Sequence, residues 1–289
     1  MSLLQVIILS IVQGLAELLP ISSSAHVVVA EKLMGLDPSS PPMTLLLVML
    51  HTGTMVAVIV YFWRQWSSTY FRSKAAFQDA AVNIILATAL TGVTGEAVFR
   101  VIQTIAFGDA KDAQIEDLFS HLEIMAPALA LGGVLILIAG LFARRNPTGV
   151  MEESSRLNAR QAGLIGTVQG LCLPFRGFSR SGATISVGML AGVPKSRAEA
   201  FSFALSVVLT PAVVAREAFR LVHVRSTNGA GDLLSAVTPS LLGAASAFLA
   251  GLVALKWLSR WLEGGRWYLF GIYCMVAAFV VAVLHRCGY

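Results

Sequence analysis

Two short polar strings stand inside long apolar stretches, and both carry side chains suited to chemistry on an anion. The first is Gln13-Gly14-Leu15-Ala16-Glu17, continuing through Pro20 to Ser22-Ser23-Ser24-Ala25-His26. The second is Gly177-Phe178-Ser179-Arg180-Ser181-Gly182-Ala183-Thr184. At membrane depth a carboxylate, an imidazole, a guanidinium and clustered hydroxyls are costly, so they mark a functional site by default. The second string has the makings of an oxyanion-binding turn. Its glycines let backbone N–H groups approach a ligand, and a helix starting near Ser181 presents its positive end. Arg180 adds a planar fork that suits phosphate oxygens, and Ser179, Ser181 and Thr184 add hydroxyl donors. There is no Gly-Lys-Ser/Thr ending, so a nucleotide P-loop is unsupported.

In the first string, Glu17 and His26 supply acid–base capacity. A hydroxyl of Ser22, Ser23 or Ser24 becomes a nucleophile if either of them takes its proton. Gln13 lies four residues before Glu17, on the same helical face, where it can orient the carboxylate or share a metal. Blander roles compete with each of these. Serines cap helices and pack between membrane helices, Arg180 can snorkel to a headgroup, and Glu17 can sit at an interface. His51, in His51-Thr52-Gly53-Thr54, is expected to bond a neighbouring helix more readily than to face a cavity. Glu199 and Ser202 are expected to support the second string, and Arg176 to hold the chain before Gly177.

The elements that must position these residues follow from composition. The chain has 289 residues, 56% hydrophobic and 13% charged, with a mean hydropathy of +0.74. Soluble globular proteins carry roughly a quarter charged residues. This composition therefore predicts an all-α polytopic membrane protein, a single integral membrane domain over 1–289. Six stretches approach or exceed the roughly 20 helical residues that a bilayer core requires: about 45–63, 80–106, 123–143, 198–219, 237–257 and 267–285. Two more apolar regions, about 1–36 and 160–193, are broken near the middle by Gly, Pro and Ser. They are expected to form re-entrant helix pairs, whose irregular backbone survives only where protein or water surrounds it. Met1 to Leu19 lacks a basic leader and an Ala-x-Ala cleavage site, which predicts mature protein. Cys172, Cys274 and Cys287 imply no disulfide framework. The net charge of +5 fits basic loops against anionic headgroups, and its placement at the ends of apolar runs argues against nucleic acid.

Arg64, Arg72 and Lys74 follow the first span, and Arg144, Arg145, Arg156 and Arg160 follow the third. Between them lies an acidic loop with Asp109, Asp112, Glu116 and Asp117 against Lys111. The positive-inside rule puts the two basic loops in the cytoplasm, although Arg216, Arg220 and Arg225 then fall near the outer face. Val12-Gln13-Gly14-Leu15 recurs as Val168-Gln169-Gly170-Leu171, each copy opening a broken region. The pattern predicts inverted-topology repeats, with halves about 1–143 and 160–285. Paired broken helices in such halves place their breaks near the midplane, and the two polar strings are expected to meet there.

Residue by residue, the two strings resemble the undecaprenyl-diphosphate phosphatase family of bacitracin-resistance membrane enzymes. The family's first motif, Glu/Gln-Gly-x-x-Glu followed by x-x-Pro-x-Ser-Ser-x-x-His, is similar to Gln13 through His26. Its second, Pro-Gly-x-Ser-Arg-Ser-x-x-Thr, is similar to Gly177 through Thr184, with Arg176 where the family has Pro. Ala25 replaces a common glycine, and Phe201-Ser202-Phe203-Ala204-Leu205 extends the resemblance. It implies hydrolysis of undecaprenyl diphosphate to undecaprenyl phosphate and inorganic phosphate, recycling a cell-wall lipid carrier and conferring bacitracin resistance. It implies that Arg180, Ser179, Ser181 and Thr184, with Ser22 and Gln13, bind substrate, that Glu17 and His26 manage protons, and that Ser23 attacks. It also implies a divalent cation, Mg2+ or Ca2+, with Glu17 as its candidate ligand. The expected partners are a polyprenyl diphosphate lipid and membrane lipids, with a homodimer left open. The expected location is the bacterial inner membrane, the site opening toward the periplasm. A transporter or flippase is the rival, since inverted repeats with broken helices are typical of transporters; an anion channel gated by Arg180 is weaker.

Overall fold

Leu19 adopts an extended conformation (φ −74°, ψ 149°) directly before Pro20, as the steric demand of a following proline requires. That ends the first helix and opens the first break. A computed structural model describes residues 1–37, 40–107, 122–145, 157–175, 177–225 and 231–287. Arg176, Arg156 and the acidic loop at 109–117 lie outside the described residues. Within them the regular structure is helical: α1 Leu3–Leu18, α2 Ser23–Leu33, α3 Pro41–Thr69, α4 Lys74–Phe107, α5 Leu122–Arg145, α6 Ala159–Cys172, α7 Arg180–Leu190, α8 Lys195–Arg225, α9 Gly231–Glu263 and α10 Tyr268–Arg286. The all-α expectation is borne out.

Five helices are long and apolar enough to cross a bilayer: Pro42–Thr69, Lys74–Thr104, Met125–Arg145, Val237–Glu263 and Tyr268–Arg286. The chain is a multi-pass membrane protein. The sixth expected stretch, 198–219, is helical within α8, but several of its side chains fall outside the described set, so the count of five belongs to the described residues. Outward faces such as Leu131, Val134, Ile138 and Leu141 on α5 are apolar and exposed, which suits lipid and would be an aggregation hazard in water. Both broken regions are helix pairs, α1 with α2 and α6 with α7. Serine caps the start of α1 and asparagine that of α6, each in a reciprocal capping box (Ser2 with Gln5, Asn158 with Gln161). Pro174 stands two residues beyond the end of α6, where a proline commonly closes a helix.

The helices gather into two compact units that draw on both halves of the chain. The first comprises Met1–Leu19, Ser23–Arg64 and Ser206–Leu258. Its core is Val6, Leu9, Val27, Met43, Leu46, Leu50 and Ala247, all buried. Helix α9 comes close to α1 and α3 through glycine. A Cβ at Gly14 would stand 2.7 Å from the Ala247 carbonyl oxygen, and one at Gly53 would strike the Ala244 carbonyl. Small residues at such crossings let membrane helices approach closely.

The second unit comprises Pro20–Ser22, Gln65–Leu205 and Ser259–Tyr289. Helix α4 fastens to α6 by hydroxyls: Thr91 donates to the Gly166 carbonyl at 2.9 Å, and Gln169 Nε2 donates to Thr91 Oγ1 at 3.0 Å. A small core of Ala87, Ala162, Ile165, Phe201 and Leu205 fills the space beside them. Trp66 Nε1 donates to the Ala200 carbonyl at 3.1 Å, tying the end of α3 to the start of α8.

Candidate functional site

Glu17 lies on the last turn of α1, where Gln13 precedes it by one helical turn. Gln13 Nε2 donates to Glu17 Oε2 at 3.3 Å. Past the break, Ser23 opens α2, and its hydroxyl donates to the same Oε2 at 2.6 Å. The break that delivers Ser23 is strained: Ser22 has φ 70°, the one non-glycine with positive φ among the described residues. Such a conformation costs on the order of 1–3 kcal/mol and persists only where the surroundings impose it. It turns the chain sharply, so that Ser23 comes back onto the carboxylate of the helix just left. His26 follows Ser23 by one turn of α2 and is half-buried.

His51, on α3, joins this group. Its Nδ1 lies 2.8 Å from the Leu47 carbonyl, which accepts a proton and cannot donate one, so Nδ1 carries the hydrogen. Nε2 is then the nitrogen 3.9 Å from Glu17 Oε2. The hydrogen bond expected to a neighbouring helix goes instead to a carbonyl of its own helix, and the ring's other nitrogen stands beside the Glu17 carboxylate. The helical position alone carried no signal for that, because it depends on how α3 rotates against α1. A serine hydroxyl held on a carboxylate that a carboxamide also grips has the geometry of a nucleophile with its base.

In the second unit, Ser179 caps α7, accepting from the Gly182 N–H at 3.2 Å. Arg180, half-buried, is the first residue of the helix. The turn rests on one stripe of α5. A Cβ at Gly177, whose φ is +106°, would strike the Met125 carbonyl; one at Gly182 would come within 2.6 Å of Ile136 Cδ1; and Gly132 faces the Ser179 N–H. Positions 125, 132 and 136 share a helical face, so a single rigid helix shapes the whole turn. Ser181 and Thr184 are buried. Thr184 Oγ1 donates to the Arg180 carbonyl at 2.8 Å and lies 2.6 Å from Ser202 Oγ. Ser202 thus supports the string, as expected from its position. Glu199, also buried, instead accepts from Ser259 at 2.7 Å.

The repeated strings have diverged in use. Gln13 grips a carboxylate, whereas Gln169 grips Thr91 on α4, and position 173, the counterpart of Glu17, is leucine. Among the described residues no three His, Cys, Asp or Glu gather closely enough to hold a metal ion by themselves.

The sequence matches the model of a protein family, Bacitracin resistance protein BacA, over residues 6–280. The chain belongs to this family. Among curated relatives, undecaprenyl-diphosphatase 2 of Acinetobacter baylyi is 54% identical over 287 residues, covering 98% of both chains. Undecaprenyl-diphosphatase of Gluconacetobacter diazotrophicus is 32% identical, covering 97% of this chain and 96% of its own. That of Rhodopirellula baltica is 29% identical over 98% of both. Both polar strings of this BacA-family chain lie inside the matched region.

Proposed function

We infer that the chain is an undecaprenyl-diphosphate phosphatase, releasing inorganic phosphate and returning undecaprenyl phosphate to cell-wall synthesis. The observation that carries the reading is the 2.6 Å hydrogen bond from Ser23 to Glu17, in a chain 54% identical over its length to a protein of that name. A flippase needs a polar path but no nucleophile held on a base.

The roles follow from the chemistry of each group. Arg180, with Ser179, Ser181, Ser22 and Gln13, holds the diphosphate, and buried Thr184 backs the turn rather than touching the ligand; the guanidinium fork and the amides at the start of α7 oppose its charge. Glu17 takes the Ser23 proton as Oγ attacks the terminal phosphorus, and the bond from that phosphorus to the bridging oxygen breaks. His26 protonates the departing lipid phosphate. Water then attacks the phosphoserine with His26 taking its proton, and Glu17 returns the first proton to Ser23 Oγ as the bond from phosphorus to that oxygen breaks, freeing inorganic phosphate and restoring both groups. A divalent cation, Mg2+ or Ca2+, fits Glu17 together with substrate oxygens, since magnesium is commonly held by one or two carboxylates plus phosphates; it would neutralise charge on the diphosphate. The protein works in the bacterial inner membrane with its site open to the periplasm, the orientation that basic loops after α3 and α5 favour.

The test is phosphate release from undecaprenyl diphosphate by detergent-purified protein, with Arg180→Ala and Glu17→Ala beside it. Release that both substitutions abolish is the expected result. A well-folded wild type inert toward several polyprenyl diphosphates, with or without cation, would leave the transporter reading in first place.

A further inference from the structure

We propose that Ser202 is a positioning residue for phosphate transfer, acting on Arg180 through the Thr184 hydroxyl. The proposal rests on the turn at Ser179–Ser181 being the part that holds the diphosphate. Thr184 has one hydroxyl proton and three oxygen neighbours: the Arg180 carbonyl at 2.8 Å, the Ser181 carbonyl at 3.3 Å and Ser202 Oγ at 2.6 Å. Carbonyls only accept, so toward Arg180 the Thr184 hydroxyl is the donor, while between the Thr184 and Ser202 hydroxyls either can donate. The contacts run without a gap from Ser202 through Thr184 to the backbone of Arg180. Thr184 is fully buried and Ser202 nearly so, which shields both bonds from competing water and strengthens each through the other.

The partner helix is itself anchored where Ser202 sits. Gln65 donates to the Ser196 carbonyl at 3.2 Å, Trp66 to that of Ala200 at 3.1 Å, and Ser259 to Glu199 at 2.7 Å. Helix α7 is held further along by Trp267, which donates to Ser186 at 3.0 Å. The first turn of α7 therefore has α5 behind its glycines and, at Thr184, a hydroxyl strut to a fixed point on α8. Thr184 in this arrangement sets where the Arg180 carbonyl, and with it the guanidinium, stands. A displacement of about 1 Å in such a group can cost a hundredfold in rate.

The experiment compares Ser202→Ala, Ser202→Cys and Ser202→Thr with wild-type full-length protein in detergent. Ser240→Ala is the control, because that hydroxyl is buried with no hydrogen-bond partner among the described residues. The readouts are kcat/KM for undecaprenyl diphosphate, the inhibition constant of inorganic phosphate, and thermal unfolding. An inhibition constant does not depend on how much enzyme is folded, so a merely structural role leaves it unmoved. Ser202→Ala and Ser202→Cys are expected to lower kcat/KM about tenfold and weaken phosphate inhibition about fivefold, roughly a tenth of the largest positioning effects. Ser202→Thr, which keeps the hydroxyl, is expected to restore both, and Ser240→Ala to change neither. Unaltered phosphate inhibition in Ser202→Ala, with or without lost activity, would overturn the proposal while leaving the phosphatase reading intact. A wild type that releases no phosphate would remove both.

Discussion

Ser23 Oγ stands 2.6 Å from Glu17 Oε2, six residues back along the chain, across a break whose single strained residue is Ser22. The strain and the contact belong together. A relaxed extended Ser22 would send Ser23 onward instead of back onto the end of α1. The pair puts a hydroxyl and a carboxylate in hydrogen-bond reach, and Gln13 donates to the same carboxylate oxygen.

Removing either partner is therefore expected to stop chemistry without unfolding the protein. Glu17→Gln keeps the volume and loses the base, with an expected fall in kcat of about 10²–10⁴-fold. Ser23→Ala should fall at least as far, because it removes the hydroxyl that Glu17 holds. Phosphate release checks both, alongside mass detection of a phosphoserine trapped by rapid acid quench. Full activity in Ser23→Ala would make water the attacking group and leave Ser23 an orienting role.

His51 is a smaller contributor. Its Nε2 lies 3.9 Å from Glu17 Oε2, and its side chain is 36% exposed. Half-exposed charge contacts contribute at most about 1 kcal/mol. His51→Gln is thus expected to lower kcat by no more than about fivefold, far less than Glu17→Gln. Steady-state kinetics on the two variants separate the cases, and equal losses would place His51 among the reacting groups.

Much of this was legible in residue types. The apolar runs, the two breaks and the anion-suited turn follow from Pro20, Pro174, the glycines and the serine clusters, because backbone sterics act locally. Contacts between distant segments were not legible. That His51 would reach Glu17 depends on side-chain rotation of α3 against α1, which hydropathy does not encode. The Gln13 and Gln169 strings look alike, yet their different partners arise from what α2 and α4 bring to each. The compact units also cut across the two sequence halves, since long helices such as α3, α8 and α9 each contribute to both.

Gly177 tests the anion turn at its backbone. With φ at +106° and the Met125 carbonyl where a Cβ would go, alanine must shift the chain just before Ser179. The left-handed conformation and the overpacking each cost about 1–3 kcal/mol. Gly177→Ala is expected to lose most phosphatase activity and to unfold at lower temperature. Arg180→Lys should separate charge from shape: it keeps the positive charge and loses the two-point grip. An unchanged melting temperature with kcat/KM lowered about 10²-fold, the equivalent of ~2.7 kcal/mol, is the expected result. Wild-type kcat/KM in that variant would mean that a point charge suffices.

Chelation distinguishes a cation that builds the protein from one that arrives with the substrate. Structural metal sites add folding free energy, so their removal lowers stability. Such a site needs several converging ligands, and among the described residues no three His, Cys, Asp or Glu gather. Glu17 offers one carboxylate, and Ser23 and Gln13 already donate to it. A cation held there depends on diphosphate oxygens for the rest of its shell. EDTA is therefore expected to abolish phosphate release while leaving the substrate-free melting temperature unchanged, and Mg2+ or Ca2+ should restore turnover. A large drop in melting temperature on chelation would point instead to a bound structural ion. Unimpaired turnover in EDTA would mean that Arg180 and the amides of α7 neutralise the diphosphate unaided.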